Sequence, residues 1–194
     1  MSTTATASRP ATVGADRSQR RLRPVRLEDW PAIHKWARLP DIARHQPWGP
    51  TRTLQTRDCV LAAIEAVQDS PRTRQVLSAV IANRVAGLTE VTVPAFQRGQ
   101  PDVAEMGCAV HPAMRRLGVG TSIAGLAFNH AFGVLGVHRV QATCDLLTTG
   151  SVRILESHGS VGEGTKRNDV RLVDRWRDSH DYALREDEWP ARPL

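Results

Sequence analysis

Apolar positions recur at two spacings along this chain, and each change of spacing marks an element. RLRPVRL (21–27) alternates and reads as a first strand at a sheet edge, where Pro24 is tolerated. Glu28 and Asp29 then open a helix with Pro31 in its first turn. Trp30, Ile33, Trp36 and Ala37 give that helix one apolar face. Pro40-Asp41 stops it and starts a short helix at 41–46, HQPWGP (45–50) forms a turn, and a longer helix covers 53–68. From residue 73 the period falls to two. RQVLSAVIA, a turn at Asn83-Arg84 and VAGLTEVTV make a hairpin, and VAEMGCAV (103–110) follows a loop at 94–102 as its third strand. His111-Pro112 ends that strand. A helix at 120–135, a strand at 138–144, a helix at 148–159 closed by Gly159, and strands at 161–171 and 176–184 complete the order. The sequence β-α-α-β-β-β-α-β-α-β-β predicts one mixed α/β domain over 21–194, with no internal repeat.

Residues 1–20 have no apolar period, and their Thr/Ala/Ser/Arg composition predicts disorder. The chain has 194 residues, 41% of them hydrophobic and 24% charged, as in soluble domains. It contains no run long enough to span a membrane and no apolar stretch of the secretory kind. Cys59, Cys108 and Cys144 have neither CxxC spacing nor an even count, so no disulfide framework and no metal site is expected, and a reducing cytoplasm is the expected compartment. The net charge of +6 invites an anionic partner, yet residues 1–26 alone hold +5, which leaves the body close to neutral. The basic tail lacks interleaved aromatics for base stacking, so nucleic acid is disfavoured.

Chemistry concentrates where the strand 103–110 runs into Arg115-Arg116-Leu117-Gly118-Val119-Gly120 and then directly into a helix. Glycines allow close backbone approach, and a helix start presents unpaired N–H groups at the positive end of its dipole. With two arginines beside it, such a loop suits a pyrophosphate. It is neither a P-loop nor a Rossmann fingerprint.

The run AEMGCAVHPAMRRLGVGTSIAGLAFNHAFGVLGVHRVQATCDLLTTGSVRILESHGSVGEG resembles the acetyl-CoA-binding half of the GNAT superfamily of N-acetyltransferases, closest to the Rim-type ribosomal-protein subgroup. Similarity extends to LRPVRLEDWPAIHKWARLPDIARHQPWGP in front and RWRDSHDYALREDEW behind, so it covers about 21–189. The resemblance implies a mixed, mostly antiparallel sheet whose central strand splays from its neighbour to take the pantetheine arm. Cys108, Ala109 and Val110 match that strand end. Arg115, Arg116, Leu117, Gly118, Val119, Gly120 and Thr121 match the pyrophosphate loop. The family pattern N-x-x-S-x-x-x-x-E-x-x-G-F is met by Thr148, Ser151, Glu156 and Gly159, with Thr148 in place of Asn and Ser160 in place of Phe.

Acyl transfer to an amine requires a neutral amine, a stabilised oxyanion and a proton for the departing thiolate. The resemblance offers Glu105 as base, backbone N–H groups near Cys108–Val110 for the oxyanion, and Ser151 as proton donor, since the usual tyrosine position is Leu155. Trp36, Trp48 and Trp176 are candidates for the wall of the acceptor pocket, because the front helices and last hairpin flank it in this fold, and Asp178, Asp145 and Asp169 are candidates to bind a cationic acceptor. The expected donor is acetyl-CoA, with another acyl thioester or an acyl carrier protein as the alternative prompted by Thr148 and Ser160. The expected acceptor is a primary amine, on a protein N-terminus or a small molecule. A homodimer is compatible with the reading, and a membrane partner is not expected.

Overall fold

The computed structural model describes residues 20–43, 52–69, 73–94, 103–172 and 175–190. Seven strands form one sheet: β1 (Arg20–Pro24), β2 (Arg74–Ile81), β3 (Arg84–Thr92), β4 (Val103–Val110), β5 (Arg139–Asp145), β6 (Val161–Arg171) and β7 (Trp176–Arg185). Their spatial order is β1-β2-β3-β4-β5-β7-β6, with β4–β5 as the parallel pair and antiparallel neighbours elsewhere. This is the mixed, mostly antiparallel sheet expected. β1 starts at Arg20, one residue inside the stretch expected to be a loose tail. It ends at Pro24, three residues short of the expected end at Leu27, and Leu27–Asp29 form a 3-10 turn that leads into the helix expected to open at Glu28-Asp29.

Helices cover both faces. On one lie α1 (Trp30–Ala37), α2 (Pro40–Ala43) and α3 (Thr53–Asp69), whose Ile33, Trp36, Val60 and Ala63 pack with Val76, Leu88 and Ala109 of the sheet. On the other lie α4 (Val119–Asn129) and α5 (Thr149–Ser157), packed over Val91, Met106, Val140 and Leu184. The single helix expected over 120–135 changes to π-helical winding at His130–Leu135 and ends at left-handed Gly136. The β2–β3 turn falls at Ala82-Asn83, both at positive φ, one residue before the expected Asn83-Arg84. A two-residue hairpin loop demands that backbone pair at its centre, whatever residues occupy it.

A buried carboxylate ties the first face together. Asp29 accepts two hydrogen bonds from Arg23, both of 2.7 Å, one of 3.0 Å from the Arg26 N–H and one of 2.8 Å from Ser78 Oγ. Burial favours its neutral form, but these four donors prevail and hold its pKa below the usual value.

The site originates in the register of β4. Against β3 it pairs from Glu105 to Val110, but against β5 only Val103–Glu105 pair, with Arg139–Gln141. Beyond that point β5 pairs with β7 alone, and the sheet opens between β4 and β5. No helix among the described residues is long and apolar enough to cross a membrane.

Candidate active site

The opened end of β4 presents backbone groups with no strand beside them. Three contacts fix which ones. His111 N donates to Ala86 O at 2.8 Å, Gly107 O accepts from Thr89 Oγ1 at 3.0 Å, and Ala109 O lies 2.4 Å from where a Cβ on Gly87 would be. Residues 107, 109 and 111 thus turn their polar backbone toward β3, and Gly87 is needed where the Ala109 carbonyl crowds that strand. Alternation along an antiparallel strand directs the N–H and C=O of Cys108 and Val110 into the gap. Of the three residues expected to face a pantetheine arm, Cys108 and Val110 turn their backbone polar groups into the gap, and Ala109 contributes its side chain to the packing beneath α1 and α3.

The gap leads to the loop expected to take a pyrophosphate. Arg116 and Gly118 both adopt left-handed backbone, with φ of 61° and 71°, and Gly118 caps α4. A Cβ on Gly118 would meet nothing within 4 Å, so the space before the helix start is open. Ser122 N and Oγ both donate to Gly118 O at 3.1 Å, while the N–H groups of Val119, Gly120 and Thr121 precede the first intrahelical bond. The two arginines differ in commitment. Arg115 donates to Asp41 of α2 at 2.9 Å, whereas no ion pair engages Arg116 among the described residues. A cation not anticipated from sequence joins them: Arg20 donates to Ser122 in the first turn of α4. Its signal was hidden because Arg20 sits at the edge of a stretch of uniformly basic, unpatterned chain.

From the gap a cavity of about 350 Å³ extends beneath α1 and α3. Its gap end includes Thr143, Cys144, Asp145, Thr148, Ser151 and Arg177. Thr148 precedes α5 without capping it through its side chain, and Ser151 Oγ has no hydrogen-bond partner among the described residues. Asp145 Oδ1 accepts from Leu147 N at 2.9 Å and so shapes the turn into α5. The far end carries Arg74 and Glu90, joined by a 2.6 Å bond from Arg74 Nε.

Glu105 is exposed and shares the face of Gly107 and Ala109 by alternation, at the last β4–β5 pair before the gap. It lies outside the cavity lining itself. Cys108 does line the cavity, and desolvation pushes its thiol up to about 11 despite a contact of 3.2 Å with Thr89 Oγ1. At neutral pH that thiol is protonated and a poor nucleophile. No cluster of three metal-ligating side chains occurs among the described residues.

The acceptor candidates are placed differently from one another. Trp48 lies outside the described residues. Trp176 is 54% exposed under the guanidinium of Arg171, and Asp178 accepts from Asn168 N at 2.8 Å across the β6–β7 ladder. Neither lines the cavity, but Arg177 between them does, so strand alternation turns that residue inward. Trp36, expected as part of an apolar helix face, also lines it. Tyr182 donates to Glu156 at 3.1 Å and ties β7 to α5 in the core, while Ser160 is buried with no partner for its hydroxyl among the described residues. His111 accepts from Ala113 N at 3.1 Å and shapes the turn after β4.

A family model for the acetyltransferase (GNAT) domain matches residues 19–161. Among curated proteins, the probable N-acetyltransferase YjcK of Bacillus subtilis is 33% identical over 95 residues, which is 48% of this chain and about half (52%) of the relative's length. RimJ of Mycobacterium smegmatis, solved with CoA-disulfide, superposes with a TM-score of 0.77 at 20% identity, over 87% of this chain and 83% of its own. Spermidine N-acetyltransferase of Vibrio cholerae, solved with CoA and spermine, gives 0.76 at 17% identity, over 89% and 98%.

Proposed function

Since this chain belongs to the GNAT acetyltransferase domain family, we propose that it transfers an acetyl group from acetyl-CoA to a primary amine. The observation that carries this reading is the β4–β5 gap, continuous at one end with an open anion loop and at the other with a cavity for an acceptor. The residues present suit the donor. Arg116, the N–H groups of Val119, Gly120 and Thr121, and Arg20 behind them suit a pyrophosphate. The gap-facing N–H and C=O of Cys108 and Val110 suit an amide-bearing arm, with Thr148 offering a hydroxyl from α5. The donor supplies the thioester acyl group.

The chain's own groups then perform three tasks. A gap-facing N–H of β4 donates to the oxygen that gains charge as the amine attacks. Glu105 receives the amine proton, directly or through a water, from its place on the same strand face. Ser151 gives a proton to the departing sulfur. The high pKa of Cys108 supports direct transfer within a ternary complex, with no acetylated enzyme.

Purified protein with acetyl-CoA and a panel of amines, assayed for free thiol, tests the activity. Amine-dependent thiol release supports it, and release independent of every amine defeats it. A parallel donor panel at one fixed amine should rank acetyl-CoA above longer acyl-CoA thioesters and acyl carrier protein.

A further inference from the structure

The cavity beneath α1 and α3 selects an amine by the body attached to it, an inference that rests on the acetyltransferase reading. Register settles its floor. Leu88 pairs with Ala109, Glu90 with Gly107 and Val76 with Glu90, so Val76, Leu88, Gly107 and Ala109 share the sheet face that α1 and α3 cover. From β4 through β3 to β2 that floor crosses two inter-strand spacings, about 10 Å. Val76, Leu88 and Ala109 are only half-buried, and Ile33, Val60 and Ala63 form the roof above them. At the gap end Gly107 carries no side chain, and a Cβ there would meet nothing within 4 Å. The cavity is therefore a slot that opens from the β4–β5 gap across Gly107 and runs inward between hydrocarbon surfaces.

Charge lies at its margins and is balanced there. Two acids and two arginines line it, Asp145 and Arg177 at the gap end, Arg74 and Glu90 on β2 and β3. Arg74 Nε donates to Glu90 at 2.6 Å, so that carboxylate already faces a cation. A second ammonium carried down the slot would lose its water with no excess negative charge to receive it, which is strongly unfavourable. A peptide is disfavoured for a related reason. Its backbone N–H and C=O groups need partners, and the side chains of this floor and roof have no polar atoms. At about 350 Å³ the space matches a small molecule.

We propose that the acceptor is a primary monoamine with a hydrocarbon body. Its amine stays at the gap beside Thr143 and Ser151, and its body lies along Ala109, Leu88 and Val76. The nitrogen bonds to the acetyl carbon and loses a proton, the thioester C–S bond breaks, and the thiolate takes up a proton, so the products are an N-alkylacetamide and CoA.

The test measures kcat/KM with acetyl-CoA for propylamine, heptylamine, 1,6-diaminohexane (heptylamine with an ammonium in place of its terminal methyl) and a serine-initiated tripeptide. Each further methylene buried in the slot should raise the value about fourfold, so heptylamine should exceed propylamine by well over tenfold. It should exceed the diamine and the tripeptide by at least about tenfold. Val76→Phe fills the inner end of the slot, so it should lower the heptylamine value about tenfold and leave propylamine within about twofold. Heptylamine no better than propylamine overturns the assignment. The diamine or the tripeptide as the better acceptor also overturns it and leaves the acetyltransferase reading intact. Equal losses on both monoamines, in a variant that melts like wild type, overturn it too; a variant that fails to fold leaves the wild-type ranking to decide. Turnover of none of the four overturns the assignment, and thiol release with a larger amine panel then decides the activity separately.

Discussion

Replacing Gly118 by glutamate should separate the anion loop's electrostatics from its backbone. Gly118 sits at φ 71° as the cap of α4, with nothing within 4 Å of a Cβ position. Any side chain there meets left-handed strain of about 1–2 kcal/mol. Gly118→Gln carries that strain with nearly the same shape and no charge. For a chain of this size each kcal/mol lowers Tm by about 2–4 °C, so both variants should melt only a few degrees below wild type. The carboxylate adds repulsion to a bound pyrophosphate. At a separation of about 6 Å and an effective dielectric constant of 20, one pair of unit charges contributes about 3 kcal/mol. That equals about a hundredfold in Kd between the Glu and Gln variants. Calorimetric titration with CoA measures the ratio, and raising the salt should shrink it as screening increases. Equal affinities for the two variants, or a ratio insensitive to salt, would refute the placement of the pyrophosphate at this helix start.

Other outcomes follow from the remaining geometry. Cys108→Ala should keep activity within a few-fold and intact mass should show no acetylated wild-type enzyme, since a thiol titrating near 11 is protonated at neutral pH; an acetyl adduct on Cys108 would reverse the ternary mechanism. Glu105→Gln should lower kcat by about 10²–10⁴-fold. An unchanged kcat would assign the base elsewhere. Asp29→Asn should destabilise the fold by about 3–5 kcal/mol, because Arg23 is left without its partner in a largely buried pair. The Asp29 pKa is depressed in the folded state, so its contribution is complete above the unfolded value of about 3.9 and is lost as pH falls through the folded one. Denaturant titrations of wild type and variant should converge toward acid pH, and a constant difference down to pH 2 would contradict that sign.

The elements of the proposed donor site were legible because local chemistry dictates them. A strand stopped by His111-Pro112, a loop with Gly118 and Gly120, and a helix start form one contiguous stretch, and the structure places them as that order requires. The acceptor side was less legible, because it is assembled from distant strands whose inward positions depend on register. β6 carries irregularities at Gly162/Gly164 and Lys166/Val170, and only the resulting ladder shows that Arg177, not Trp176 or Asp178, faces the cavity. Helical periodicity placed Trp36 on an apolar face but was silent on its indole N–H, which has no partner among the described residues. The bond between Arg74 and Glu90 joins two strands at positions that sequence alone left as ordinary alternation. Arg115 illustrates the same limit. Its place in the loop is evident from the sequence, while its engagement with Asp41, 74 residues away, is a tertiary fact.

The central claim, that the β4–β5 gap supports acyl transfer between a thioester and an amine, is tested most directly by product stoichiometry. Wild-type protein incubated with acetyl-CoA and the best acceptor of an amine panel should yield one N-acetylated product for each free CoA thiol, counted by mass spectrometry and thiol titration on the same sample. Thiol release without an acetylated amine would contradict the account.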